Sequence, residues 1–244
     1  MRQILYRQLS RTQEGLIPFK PSPFLFQKVG FKYHHSRYSS SLYCIKPTIR
    51  IGTLSSYRTI EKSSLRDHKE GITETFIGNN VRSDQIHEKN ALFSAFCFPK
   101  GARFKVENTT IFEEYDFYVF CFSYIISSES YLSFTDDEPY DAVATILDLF
   151  RLAEVITAFH PVLTGWFWEC LPVTYCKKRR FHGEAAPEPL DVAFEKDLKF
   201  EPNFEGRIVF VRPNLSTDRK LIPLPNWSHS ALSGLFVPGT IPLS

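Results

Sequence analysis

Apolar residues along this chain recur chiefly as short continuous runs or at every second position, the spacing of β-strands rather than of long helices. An aromatic run at Phe26–Tyr33 opens the series, and Thr48–Thr53 follows with strict alternation at Ile49 and Ile51. Further strands are predicted at Ile72–Ile77, Ala91–Phe98, Phe104–Val106, Phe117–Tyr124, Tyr140–Leu147 and Leu171–Cys176. Phe117-Tyr-Val-Phe-Cys-Phe-Ser is apolar at odd and even positions alike, which predicts a strand covered on both faces. Helical spacing predicts a helix over Leu149–Ala158, with Asp148 as its N-cap and Pro161 ending it, and a short helical piece at Ser39–Ile45 before Pro47. Many short strands with few helices predict an α+β domain around a strongly bent or split sheet.

Between these runs the polar stretches set the organisation. Pro18, Pro21 and Pro23 mark an N-terminal arm over residues 1–25, and a single domain is expected over 26–244, ending in a proline-rich, mostly irregular tail. Glu61–Glu70 is charged and almost without apolar side chains, which predicts an exposed loop. Arg2, Arg7 and Arg11 alternate with Ile4, Leu5 and Leu9; with Glu14 close behind, an arm or helix is preferred to a targeting segment. No apolar run approaches the ~20 residues that cross a bilayer as a helix, and no secretory signal is visible, so a cytoplasmic protein without membrane contact is expected.

Composition narrows the function classes. A chain of 244 residues with 43% hydrophobic and 15% aromatic residues can bury a sizeable core. Its formal charge of +2 leaves room for a nucleic-acid surface only as a local patch. The five cysteines are odd in number and contain no Cys-x-x-Cys pair, which fits reduced, buried thiols better than disulfides or a zinc site. His34 and His35 are the only clustered histidines and would point to opposite faces of a strand, so no metal site is expected. Neither a Gly-x-Ser-x-Gly turn nor a Gly-x-x-x-x-Gly-Lys phosphate loop is present.

What remains is three polar islands at the ends of apolar strands: Phe31-Lys-Tyr-His34, Gly52-Thr-Leu-Ser-Ser-Tyr-Arg58, and Asn203-x-Glu205-x-Arg207 before Ile208-Val-Phe-Val211. Residues two apart on a strand share a face, so Asn203, Glu205 and Arg207 would form a polar row at the mouth of a buried sheet. The plainer alternative is a loop-to-strand junction with a partly exposed Glu–Arg pair. The basic cluster Lys177–Arg180, beside Phe181 and His182, reads either as a solvated hairpin turn or as a contact to nucleic-acid phosphates.

Taken in order, Ile51–Arg58, Asp67-x-x-Glu-Gly71, Cys121-Phe-Ser123 and Lys196-Asp…Asn203-x-Glu205-x-Arg207 resemble the ADP-ribosyltransferase superfamily, in particular its bacterial toxin-like members. The resemblance covers roughly residues 30–212. It implies an ADP-ribosyltransferase-like split sheet and NAD as substrate. It also implies transfer of ADP-ribose to a nucleic-acid acceptor, RNA included, or to a protein, as a toxin of phage-defence type neutralised by a cognate antitoxin. Under it, Glu205 stabilises the ribose oxocarbenium ion, and Thr53 and Ser55 orient Glu205. Tyr33 or Tyr57 walls the nicotinamide, and Lys32, Arg58 or Arg207 meets the pyrophosphate. Asp67 and Glu70 sit on a loop that closes over the cofactor or recognises the acceptor, with Lys178 and Arg179 as further acceptor contacts. Asn203 departs from the Gln or Glu frequent at that position while keeping an amide. Two alternatives stay open beside it: a binding module without activity on the same fold, and a metal-independent nuclease using Glu205 with His34 or His35.

Overall fold

The computed structural model describes residues 28–60, 67–77, 81–82, 105–106, 109–127, 140–181, 187–213 and 221–240. The arm predicted at 1–25, the strand predicted at Ala91–Phe98, Phe104, positions 61–66 of the charged loop, Cys97, His182 and the side chain of Arg179 lie outside the described residues.

The chain runs through β1 (Gly30–His34), β2 (Thr48–Ile49), β3 (Gly52–Thr53), β4 (Ile72–Ile77), β5 (Val81–Arg82), β6 (Lys105–Val106), β7 (Thr109–Glu114), β8 (Tyr118–Ser123) and β9 (Ala142–Ile146). It continues through β10 (Phe167–Pro172), β11 (Thr174–Cys176), β12 (Arg179–Phe181), β13 (Glu195–Asp197), β14 (Glu205–Val211), β15 (Trp227–Ser228) and β16 (Phe236–Pro238). Helices α1 (Ser39–Leu42), α2 (Leu54–Ile60), α3 (Leu149–Phe159) and α4 (Pro189–Val192) are set between them. The fold is α+β. Its main sheet has the order β10-β14-β8-β1-β9-β16, with β3 added on β8, and three-stranded β12-β4-β7 forms a separate sheet.

The main sheet forks at β8. One edge of β8 pairs with β14 continuously, from Ser123 opposite Glu205 to Tyr118 opposite Phe210. Its other edge is shared: β1 pairs only at Phe31 opposite Ser123, and β3 pairs at Val119 and Tyr118. Between these contacts β1 peels away while staying fully paired with β9, from Gly30–Ile146 to His34–Ala142. The parting sheet leaves a gap beside Phe120, Cys121 and Phe122.

Alternation along β14 divides the core. Ile208 and Phe210 join Tyr118, Phe120 and Phe122 in a cluster closed by α3, while Val209 and Val211 join Val119, Leu54, Tyr57, Ala193 and Phe194 on the opposite face. Burial on both faces is what the unbroken apolar run of β8 predicts. α3 also follows its sequence: Asp148 Oδ1 accepts the Phe150 and Arg151 amides, and Leu149, Leu152, Ala153, Val155 and Ile156 turn inward. The described part of the tail is mostly irregular, as expected, yet it is packed in: β16 pairs with β9 at the sheet edge and Leu221, Leu232 and Phe236 are buried in the first cluster.

One helix is unforeseen, and one further expectation is corrected. The hydroxyl-rich segment after β3 is helical: Thr53 Oγ1 accepts the Ser56 amide and Ser56 Oγ accepts the Thr53 amide, each at 3.0 Å. That reciprocal pair is a capping box with Ser in the place of Glu or Gln, and it starts α2. The end of the charged loop is not exposed, since Asp67 and Glu70 are 3% and 2% accessible. They sit on a tight turn in which Asp67 Oδ1 accepts the Lys69 amide and Gly71 takes φ +67°. A Cβ on Gly71 would meet the Tyr115 carbonyl oxygen at 2.4 Å. Gly71→Ala is therefore expected to cost about 1–3 kcal/mol of folding stability, as read by urea denaturation; an unchanged midpoint would contradict it.

Candidate functional site

At the fork lies a cleft of about 520 Å³, its open mouth included, lined from β1 by Phe31, Lys32 and Tyr33 and from β8 by Cys121, Phe122 and Ser123. Tyr57 of α2, Tyr140, Lys196, Asn203 and Glu205 complete the lining. Of the residues nominated from sequence, Lys32, Tyr33, Tyr57, Asn203 and Glu205 thus meet in one place. Lys32 owes its position to the parting strands: its Nζ donates to the Cys121 carbonyl at 2.8 Å and lies 5.4 Å from the Phe120 ring centroid. Asn203 is not on the strand with Glu205. It ends the 3-10 turn Leu198–Asn203, Phe204 follows at φ 45°, and the Asn203 carbonyl accepts Ser123 Oγ at 3.1 Å.

Glu205 begins β14 with its carboxylate clasped between two cations. Arg207 Nε donates to Oε1 at 2.6 Å and Lys196 Nζ to Oε2 at 2.7 Å. The Glu205 amide donates to the Tyr175 hydroxyl at 2.7 Å. Burial alone would raise the Glu205 pKa, but Arg207 first and then Lys196 outweigh it, and the carboxyl is held far below the usual range. Burial likewise opposes the charge of Arg207, and Glu205 and Glu70 outweigh that, raising its pKa well above normal. Burial and the Glu205 charge raise the Tyr175 phenol well above its ordinary value, so it stays protonated.

Arg207 is not a free pyrophosphate ligand. It is 1% accessible, and besides Glu205 its Nη1 donates to the Ala193 carbonyl at 2.5 Å while its Nη2 pairs with Glu70 Oε1. Lys196 Nζ lies 3.9 Å from Glu70 Oε2, which closes a ring of two carboxylates and two cations, balanced in charge and buried. The partly exposed Glu–Arg pair of the plainer alternative is thereby corrected as well. Glu70 is a structural counter-ion rather than an acceptor contact.

The remaining nominated residues are used elsewhere. Lys178 is buried, its ammonium 2.8 Å from Asp67 Oδ2 and 2.6 Å from the Lys69 carbonyl, so neither it nor Asp67 faces an acceptor. The cluster is not a solvated turn, since Arg179–Phe181 forms β12 alongside β4 and Arg180 Nη2 pairs with Glu195 at 2.6 Å. Arg58 donates to the Glu70 carbonyl at 3.0 Å and pairs with Glu114. Thr53 Oγ1 and Ser55 Oγ share a 3.0 Å hydrogen bond, and Ser55 Oγ donates to Asp116 Oδ2 at 2.7 Å. Neither hydroxyl bonds to Glu205. Cys44 is exposed, against the expectation of buried thiols; Cys121, Cys170 and Cys176 are partly buried, and none of these four forms a disulfide.

No family model, curated protein or solved structure matches the chain. No helix among the described residues is long and apolar enough to cross a membrane, and among them no group of three or more His, Cys, Asp or Glu could hold a metal.

Sequence reasoning assigned no role to Lys196 or Tyr175, the two side chains that complete the Glu205 environment. Lys196 is quoted in the resemblance, and its place between the acidic Glu195 and Asp197 gave no sign that it is 3% accessible.

The buried pairs make stability depend on acid. The Asp67 carboxyl is raised by burial and lowered more by the Lys178 ammonium, with a net lowering. Both Asp67 and Glu205 therefore bind protons more weakly folded than unfolded. Their contribution is complete above the unfolded carboxylate pKa and is lost as pH falls through the folded values. Urea stability should be level down to about pH 5 and fall steeply below about pH 4; a flat profile to pH 3 would contradict it.

Proposed function

We propose that the cleft binds NAD and that the chain is a mono-ADP-ribosyltransferase, transferring ADP-ribose to a nucleic-acid acceptor, RNA included, or to a protein. The observation that carries this reading is the place of Glu205: a carboxylate clasped by Arg207 and Lys196 in the lining of a cleft that opens where the sheet forks, with Tyr33, Tyr57 and Lys32 around it. Breaking the nicotinamide–ribose bond sends its electron pair out with neutral nicotinamide and leaves positive charge on the ribose, as in glycoside cleavage. A fixed anion beside that ribose stabilises the charge. Tyr33 and Tyr57 offer flat aromatic faces to the nicotinamide cation, and Lys32 offers a cation to the diphosphate. The acceptor nucleophile then bonds to the anomeric carbon and gives up its proton. The forked main sheet fits the split sheet of the ADP-ribosyltransferase reading. A toxin role with a neutralising partner goes with the same reading.

One observation favours a second reading, a binding module without activity: both Glu205 oxygens are already taken, by Lys196 and Arg207. The nuclease reading has the weaker support. Its carboxylate is held too far down to cycle a proton, and His34 bonds through its ring to the His35 carbonyl and the Tyr43 hydroxyl, away from the cleft lining.

Incubation of the protein with NAD labelled in the adenylate, together with total RNA or lysate, separates the three. Label joined to RNA or protein supports transfer. NAD binding without incorporation supports the module, and shortened RNA without label supports the nuclease.

A further inference from the structure

The two cations that hold Glu205 differ in their place relative to the cleft. Arg207 places Nε, Nη1 and Nη2 on three separate acceptors and does not line the cleft. Its planar guanidinium is fixed by them. Lys196 does line the cleft, although buried, and its Nζ ends a flexible four-carbon stem, 2.7 Å from Glu205 Oε2, 3.9 Å from Glu70 Oε2 and 4.8 Å from the Phe200 ring centroid. The Lys196–Oε2 contact is thus the part of the charge ring in which both residues line the cleft.

We infer that Lys196 is a positioning residue that latches Glu205 and is operated by anions. An anionic group entering the cleft takes the Lys196 ammonium, and the released Oε2 then accepts the cationic or hydroxyl-bearing part of the same ligand. The cleft is thereby matched to a ligand that carries both an anion and a cation, and binding of one strengthens binding of the other. Lys32, on the same cleft, adds a second positive charge that draws the anion in. The latch also reconciles the two readings of Glu205: its oxygens are satisfied at rest, and one becomes available only when the anion has arrived. The inference rests on the NAD reading and adds an order to it, diphosphate before ribose.

The full chain is titrated with nicotinamide riboside, the cation without phosphate, in the absence and presence of saturating inorganic pyrophosphate. Pyrophosphate should tighten riboside binding about tenfold, and riboside should tighten pyrophosphate by the same factor, as linkage requires. Lys196→Met should bind riboside more tightly than wild type and lose the coupling. Because wild-type coupling is a test by itself, the inference does not depend on that variant folding. Independent or competing binding of the two probes, or a protein that binds NAD but not pyrophosphate, overturns the latch and leaves the NAD reading standing. A protein that binds neither probe nor NAD overturns both.

Discussion

Arg207→Met is expected to lower folding stability by about 3–5 kcal/mol. The reason is charge balance. Glu70, Glu205, Lys196 and Arg207 are all buried, and their charges sum to zero. Methionine fills similar volume but leaves two carboxylates sharing one ammonium, which sits at 2.7 Å from Glu205 and 3.9 Å from Glu70. It also strips the Ala193 carbonyl of its donor. Adding Glu70→Gln to Arg207→Met should recover part of the loss, since the excess negative charge is then removed, and the two changes should be strongly non-additive. Urea denaturation of the two single variants and the double variant checks this. A loss below about 1 kcal/mol for Arg207→Met would mean that the ring behaves as a solvated surface network, against its burial.

Glu205→Gln should reduce ADP-ribose transfer by about 10²–10³-fold, the scale expected when one preorganised electrostatic group is removed from a developing charge. The substitution keeps the shape and an acceptor for Arg207 Nε, but turns an amide donor or a neutral oxygen toward Lys196 Nζ. A stability loss of about 1–3 kcal/mol accompanies it, so rates are compared well below the melting temperature. NAD binding should persist, because the tyrosines and lysines of the cleft are untouched. Equal label incorporation by the folded variant and by wild type would remove Glu205 from the chemistry.

How far the sequence reveals this protein depends on the range of the interactions concerned. β8 and α3 are legible because their burial shows in their own periodicity and in the Asp148 cap. The Glu205–Arg207 juxtaposition is legible because two residues apart on a strand is a local relation. α2 is not legible, because its Thr53–Ser56 capping box lacks the usual acidic or amide partner and its seven residues are too few for a helical period to show. The charged stretch ending at Glu70 misled for a different reason. The partner that buries Glu70 is Arg207, 137 positions away, and Asp67 answers to Lys178 across the fold. No local pattern separates a solvated charge from one awaiting a distant counter-ion. The same limit hid Lys196, whose place in the cleft follows from a 3-10 turn that brings β13 back against the start of β14. It also governs the tail, where β16 is a three-residue strand ending in Pro238, too short for alternation to show.

The activity proposed for the cleft turns on where NAD lies. The structure of Glu205→Gln crystallised with NAD measures this directly. The predicted result places the nicotinamide ribose in the fork of the sheet, with its 2′-hydroxyl within hydrogen-bond distance, about 2.6–3.2 Å, of the side chain at position 205 and the nicotinamide against Tyr33 or Tyr57. NAD bound away from that cleft, or no NAD bound at millimolar concentration, would contradict it.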